Sequence, residues 1–196
     1  MKKNFRMIFC FATLVLATPK LHAAVSDQAG FFSAEAVQQA NQKISVLQNK
    51  YKKDVLIETF QTVPTEKRGD YSPARKNQFF ANWLRERAQA AGVNGIHILI
   101  TRDPSHLQVG VAGKAAQQGF GPDDRDRVRD SMLQHFRKKE YDQGLRAALD
   151  TIATDFEEHS KTFSAAAGGT SDRPIDTGYR RTPAPAPQST GFGWFT

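Results

Sequence analysis

Gly95-Ile96-His97-Ile98-Leu99-Ile100-Thr101-Arg102-Asp103-Pro104-Ser105-His106-Leu107-Gln108-Val109-Gly110-Val111 is the stretch that decides the fold. Its first seven residues are almost continuously apolar and rich in β-branched side chains, the pattern of a strand covered on both faces. Asp103-Pro104 places a turn former first and a φ-fixed proline second, which predicts a type I turn, with Leu107–Val111 returning as the hairpin partner. Upstream, Asp54-Val55-Leu56-Ile57-Glu58-Thr59-Phe60 is a second run of the same kind. Between the two, Ser72-Pro73 supplies a cap and a proline suited to a first helical turn, and Phe79, Phe80, Trp83, Leu84 and Ala88 form an apolar stripe that stops at Gly92. A strand, a helix and a strand of this length form a right-handed crossover with parallel strands, and the hairpin adds an antiparallel neighbour. The sheet is therefore predicted to be mixed and the class α/β.

Helices are predicted on either side of this unit. Ser33 precedes Val37, Ala40, Ile44, Leu47 and Tyr51, a helical spacing with Phe32 and Val37 placed as a hydrophobic staple. Lys50, Lys52 and Lys53 suit the carboxyl end of that helix. Gly121-Pro122-Asp123-Asp124 opens another helix with Val128, Met132, Leu133 and Phe136 on its apolar face, and Tyr141, Leu145, Leu149, Ile152 and Phe156 trace a last one. After Phe163 the periodicity ends in a Gly-, Pro- and Ala-rich stretch. The expected organisation is a leader over 1–23, one α/β domain over 24–163, and a linker with an aromatic tail over 164–196.

The 196 residues carry 27 Lys and Arg against 20 Asp and Glu, a formal net charge of +7. Lys2, Lys3, Arg6 and Lys20 fall within residues 1–23, which hold no acid, so the remaining 173 residues carry +7 − 4 = +3. That modest charge argues against nucleic acid as a partner. A basic head, the apolar run Met7–Ala17 and a small residue at Ala23 read as a secretory signal peptide, too short to span a bilayer. The expected location is exported, in the periplasm or cell envelope. The single cysteine, Cys10, lies in the leader, which leaves the rest of the chain without disulfides, zinc–thiolate sites or a cysteine nucleophile. At the other end, Phe192, Trp194 and Phe195 follow a polar linker that gives them nothing to pack on locally. They read either as a docked or disordered tail or as an interfacial anchor beside a membrane.

The chain has no Gly-x-Ser-x-Gly elbow, no phosphate-cradling Gly-rich loop and no His-Glu-x-x-His pair. His97 reads as a core residue, while His106, His135 and His159 are scattered over a turn and separate helices, so no catalytic residue is assigned. Asp123, Asp124 and Asp126 alternate with Arg125, Arg127 and Arg129, which reads as a solvated, salt-bridged helix start. Ligands of open α/β sheets bind beyond the carboxyl ends of parallel strands, and this makes Asp103 a candidate by position. It is equally the first residue of a tight turn. Asp27, ahead of the first helix, is either a turn cap or a hard oxygen ligand.

With these pieces in order, the chain resembles the TPM domain family, whose members include a thylakoid-lumen protein tied to photosystem repair, bacterial exported proteins and an animal receptor modulator. The resemblance rests on Val25-Ser26-Asp27-Gln28-Ala29-Gly30-Phe31-Phe32-Ser33, on Val55–Val63, on Val93-Asn94-Gly95 with the strand that follows, on Asp103 with Leu107-Gln108-Val109-Gly110, and on Phe136 through Tyr141-Asp142-Gln143-Gly144-Leu145. It implies a three-layer α/β/α sandwich on a small mixed sheet in a single domain. It also implies a divalent ion near the strand ends, Ca²⁺ or Mg²⁺ with Asp27 and Asp103 as ligands, and no organic cofactor. The expected function is an exported accessory or binding module beside a membrane-protein or envelope complex; the alternative is a metal-dependent, acid-phosphatase-like hydrolase. Val93, Pro104, and Val111 with Ala112 depart from the family pattern, and these changes take an acid and a basic residue from the implied site.

Overall fold

A computed structural model describes residues 23–168. A four-stranded sheet of order β1-β2-β3-β4 is built from Ala24–Asp27 (β1), Asp54–Thr62 (β2), Gly95–Asp103 (β3) and His106–Val111 (β4). The first three strands are parallel and the last is antiparallel, the mixed sheet expected from the crossover and hairpin. Helices Ala34–Tyr51 (α1), Lys76–Ala91 (α2), Gly113–Gln117 (α3), Pro122–Phe136 (α4) and Tyr141–Gly168 (α5) complete the domain.

Strand alternation divides the core into two. Val25, Ile57, Ile98 and Val109 stand side by side across the sheet and bury against α1, α4 and α5 through Ile44, Leu47, Val128, Met132, Leu149 and Phe156. On the opposite face Phe60 and Leu99 pack under α2 with Phe80, Trp83 and Leu84. These are the three layers of an α/β/α sandwich. Burial of such apolar surface contributes about 25 cal/mol per Å² and is the main force holding the helices on the sheet.

Ser33 caps α1, its hydroxyl accepting the Ala36 N–H at 3.1 Å, and Gly92 closes α2 in the left-handed region. Five features differ from expectation. Ser72 makes no capping hydrogen bond, and Pro73–Arg75 form a 3₁₀ turn ahead of α2, which opens at Lys76. β1 is a strand, made by pairing with β2, although its four residues show no periodicity of their own. A short helix, α3, follows β4. α5 continues past residue 163 to Gly168, because Ala165–Ala167 favour helix without needing an apolar stripe. Thr101 and His106 are the last paired residues of the hairpin, so its connection is the four residues Arg102–Ser105, and the Asp103–Pro104 peptide bond within it is cis, where a type I turn was predicted. The leader apart from Ala23, and Phe192, Trp194 and Phe195, lie outside the described residues. No helix among the described residues is long and apolar enough to cross a membrane.

Candidate functional site

The carboxyl ends of β1, β2 and β3 form the edge at which an open α/β sheet binds its ligands. Asp27 ends β1, and its carboxylate accepts the backbone N–H groups of Phe31 (3.1 Å) and Phe32 (2.8 Å) and the hydroxyl of Thr59 on β2 (2.5 Å). The same Thr59 oxygen accepts the Ala29 N–H at 2.9 Å. Gln61 and Arg102 both donate to the Ala29 carbonyl, at 2.7 and 3.1 Å. Gly30, at φ 62°, lets the chain reverse between these anchors. Asp27 thus acts as the turn cap, holding the loop that carries Phe31 and Phe32 over the sheet edge.

Asp103 is exposed at the end of β3, and its carboxylate has no partner among the described residues. Asp27, Thr59 and Ile100 stand opposite one another across the sheet, so they share one face; Asp103, an odd number of residues beyond Ile100, belongs to the other. Two strand spacings and the offset along β3 separate their Cα atoms by roughly 14 Å. A shared ion needs both carboxylate oxygens within about 2.3–2.6 Å of one point. The expected pair therefore shares an edge of the sheet but does not converge. Among the described residues no group of three or more His, Cys, Asp or Glu side chains is placed to hold a metal, and Asp27 and Asp103 do not fit a two-carboxylate ion site.

The structure assembles a different arrangement at this edge. Phe31, Phe136 and Tyr141 form a cluster of rings with centroids 5.1–5.7 Å apart, and the Arg102 guanidinium lies over Phe31 at 4.3 Å. Beside them opens a cavity of about 450 Å³, walled by these rings, Leu107 and His106, with Arg102 and Arg137 as its charges and no acid in its lining. Burial holds the His106 imidazole below its ordinary value, the Gln108 hydrogen bond opposes this, and its ring stacks on Phe80 at 4.1 Å. Aromatic faces and guanidinium groups can stack on and pair with a ligand that has an apolar body and an anionic group. Of the hydroxyls in the lining, that of Thr101 donates to the Pro104 carbonyl at 2.5 Å.

Two polar clusters lie elsewhere. Under α2, buried Glu58 accepts from Arg87 and sits 2.9 Å from Nε2 of His97, whose Nδ1 is buried without a partner among the described residues. Burial drives the Glu58 carboxyl upward, but hydrogen bonds from His97 and Arg87 outweigh it and bring it down to about 2. His97 is the core residue expected; its hydrogen bond with Glu58 was not foreseen, though a glutamate and a histidine on one covered face of the sheet require partners. At the start of α4, Asp124 is buried rather than solvated. It accepts the Gly121 N–H at 2.6 Å, pairs with His159 of α5 at 3.0 Å, and shares Arg127 with buried Asp155. Asp126 remains an exposed surface partner of Arg129, as the alternating charges suggested.

Fold and edge together define a class: a small α/β/α domain with an aromatic, cationic groove where its parallel strands end. The chain belongs to the TPM domain family, whose model, described as the TPM domain, matches residues 25–155. Among solved structures, the N-terminal domain of a protein from P. gingivalis is similar at 17% identity with a TM-score of 0.54, over 68% of this chain and 82% of that one. The N-terminal domain of cg2496 from Corynebacterium glutamicum is similar at 13% identity and a TM-score of 0.47, over 86% and 97% of the two chains. BA42 from the psychrophilic bacterium Bizionia argentinensis is similar at 15% identity and 0.45, over 66% and 83%. The first likeness bears on the fold alone. No curated protein matches the chain.

Proposed function

We propose that this TPM domain is an exported binding module that works beside a membrane-protein or envelope complex, engaging its ligand at the strand-end groove. The observation that carries the reading is the groove itself: a cavity of about 450 Å³ with aromatic walls, two guanidinium groups and no lining acid. Such a site binds by stacking and charge-assisted hydrogen bonds. Asp27 is engaged in holding the loop above it. The ligand class that suits these walls carries an anionic group on an apolar or aromatic body, a description met by an acidic, aromatic-bearing segment of a partner protein. Affinity capture from detergent-solubilised envelope tests this, with the wild-type chain and the Arg102→Ala/Arg137→Ala double variant compared at equal loading. Partners recovered by the first and lost by the second are expected; identical recovery by both sinks the reading. Cell fractionation tests the export half, and recovery of the chain in the cytosol at full length overturns it.

The hydrolytic alternative rests on family resemblance and on one feature of the chain, the unpartnered carboxylate of Asp103 at the end of β3. Phosphate release from a generic ester that disappears in a folded Asp103→Asn variant favours it over the binding module. Release that the substitution leaves unchanged does not come from this edge.

A further inference from the structure

We infer that the open edge of β4 is a docking site for an extended, acidic peptide strand. β4 pairs with β3 on one side and with no strand on the other among the described residues. The Ala112 N–H donates to the Gly95 carbonyl at 2.8 Å, and that pair continues the register in which Val111 faces Ile96. Bonded pairs alternate in an antiparallel ladder, so His106, Gln108 and Gly110 bond to β3 while Leu107 and Val109 turn their N–H and C=O groups outward.

Those outward groups open into a built groove. A cavity of about 440 Å³ is lined by Leu107 and Val109 of β4, by Asn77 and Ala81 of α2, and by Arg125, Asp126 and Arg129 of α4, so that its lining carries two cations against one acid. Since α2 covers one face of the sheet and α4 the other, a cavity with walls from both must cross the strand edge. Two usual guards against strand addition, proline and permanently charged side chains, are missing from the six residues His106–Val111 of β4. A strand of that length offers about 20 Å of pairing edge. Main-chain hydrogen bonds would supply the affinity of an added strand and the flanking side chains its selectivity.

Charge selects the occupant. Arg129 is held by Asp126 and Asp130, at 2.7 and 3.1 Å, but the Arg125 guanidinium has no partner among the described residues. Lys76 adds a further cation at the hairpin, donating to the Ser105 carbonyl at 2.7 Å. Two-fold pairing of β4 with a second copy would set this net-positive lining against itself. A strand with carboxylates on alternate positions meets the same lining favourably.

The test uses the 15N-labelled full chain and two blocked hexapeptide probes, one alternating valine with glutamate and one alternating valine with lysine. With the glutamate peptide at millimolar concentration, amide exchange at Leu107 and Val109 is expected to slow at least tenfold. The lysine peptide leaves those amides unchanged. Arg125→Glu, a substitution suited to the first turns of a helix, is expected to fold and to reverse the preference. Unchanged exchange at both amides with the glutamate peptide overturns the proposal, as does equal protection by both peptides. Protection that grows with the chain's own concentration and without peptide overturns it in favour of a second copy.

Discussion

The hydroxyl of Thr59 donates to the Asp27 carboxylate at 2.5 Å and accepts the Ala29 N–H at 2.9 Å, tying the edge strand β1 to the central strand β2 through the loop between β1 and α1. Asp27 thereby serves three donors from two elements. Phe31, which this loop carries, forms one wall of the strand-end groove, so the geometry of the groove depends on a carboxylate that does not line it.

Asp27→Asn is expected to lower stability by about 1–3 kcal/mol in the metal-free protein, because an amide oxygen replaces a carboxylate that accepts three hydrogen bonds. Urea denaturation in the presence of chelator measures it. A side chain whose only task was to hold an ion would show no loss under those conditions.

Acid should weaken the domain through Glu58. Burial alone would raise its carboxyl, but His97 and Arg87 bring it from 4.5 to about 2. A folded-state value below the unfolded one stabilises the protein above pH 4.5, and that contribution is lost as pH falls from there through about 2. The shift corresponds to a contribution on the order of 3 kcal/mol. In denaturation curves between pH 6 and pH 2, the wild type should lose stability through this window and Glu58→Gln should show a flatter slope. Equal slopes would place the acid sensitivity elsewhere.

The same cluster marks the boundary of what the sequence made legible. Apolar runs, the Ser33 cap and the turn at Asp103-Pro104 are local signals, and α1, β2, α2, β3 and β4 follow from them. β1 is not local: only the register Asp27 to Thr59 makes its four residues a strand. α5 outruns its apolar stripe because periodicity reports burial, and alanines extend a helix without it. Asp103 at a strand end and Asp27 ahead of the first helix were expected at one edge of the sheet, but their separation to opposite faces depends on a register between three strands. The Arg87–Glu58–His97 cluster and the wall made by Phe31, Phe136 and Tyr141 join residues far apart in the chain. Asp124 looked like one of several surface acids; its burial comes from α5, which brings His159 and Asp155 to it.

Gly144 permits the close crossing of α4 and α5. A Cβ there would stand 2.7 Å from the Phe136 ring and 3.1 Å from the Met132 carbonyl. Phe136 is itself held among Phe31, Phe32 and Tyr141, so it has little room to retreat. Gly144→Ala, although it raises helix propensity, is expected to destabilise by about 1–3 kcal/mol through overpacking. Thermal melting checks the sign; a stabilised variant would mean that the ring moves freely, and with it the groove wall.

Asp27 and Asp103 should behave as independent residues. Alternation places them on opposite faces of the sheet, and strand geometry sets them roughly 14 Å apart, beyond the distance at which substitutions commonly couple. Asp27 is tied into the loop ahead of α1, whereas Asp103 is exposed beside the hairpin. Stability losses in Asp27→Asn, Asp103→Asn and the double variant are therefore expected to add to within about 0.5 kcal/mol. The sum should hold both in chelator and in millimolar Ca²⁺ or Mg²⁺, because an ion bound by only one of the two carboxylates stabilises the fold without linking them. The sensitive measurement is the double-mutant cycle repeated with and without the ion. A coupling above about 1 kcal/mol that appears only when the ion is present would require both carboxylates on one centre. It would also require the β3 end to rotate Asp103 to the face of Asp27, a rearrangement that the bonded register Thr62 to Asp103 opposes.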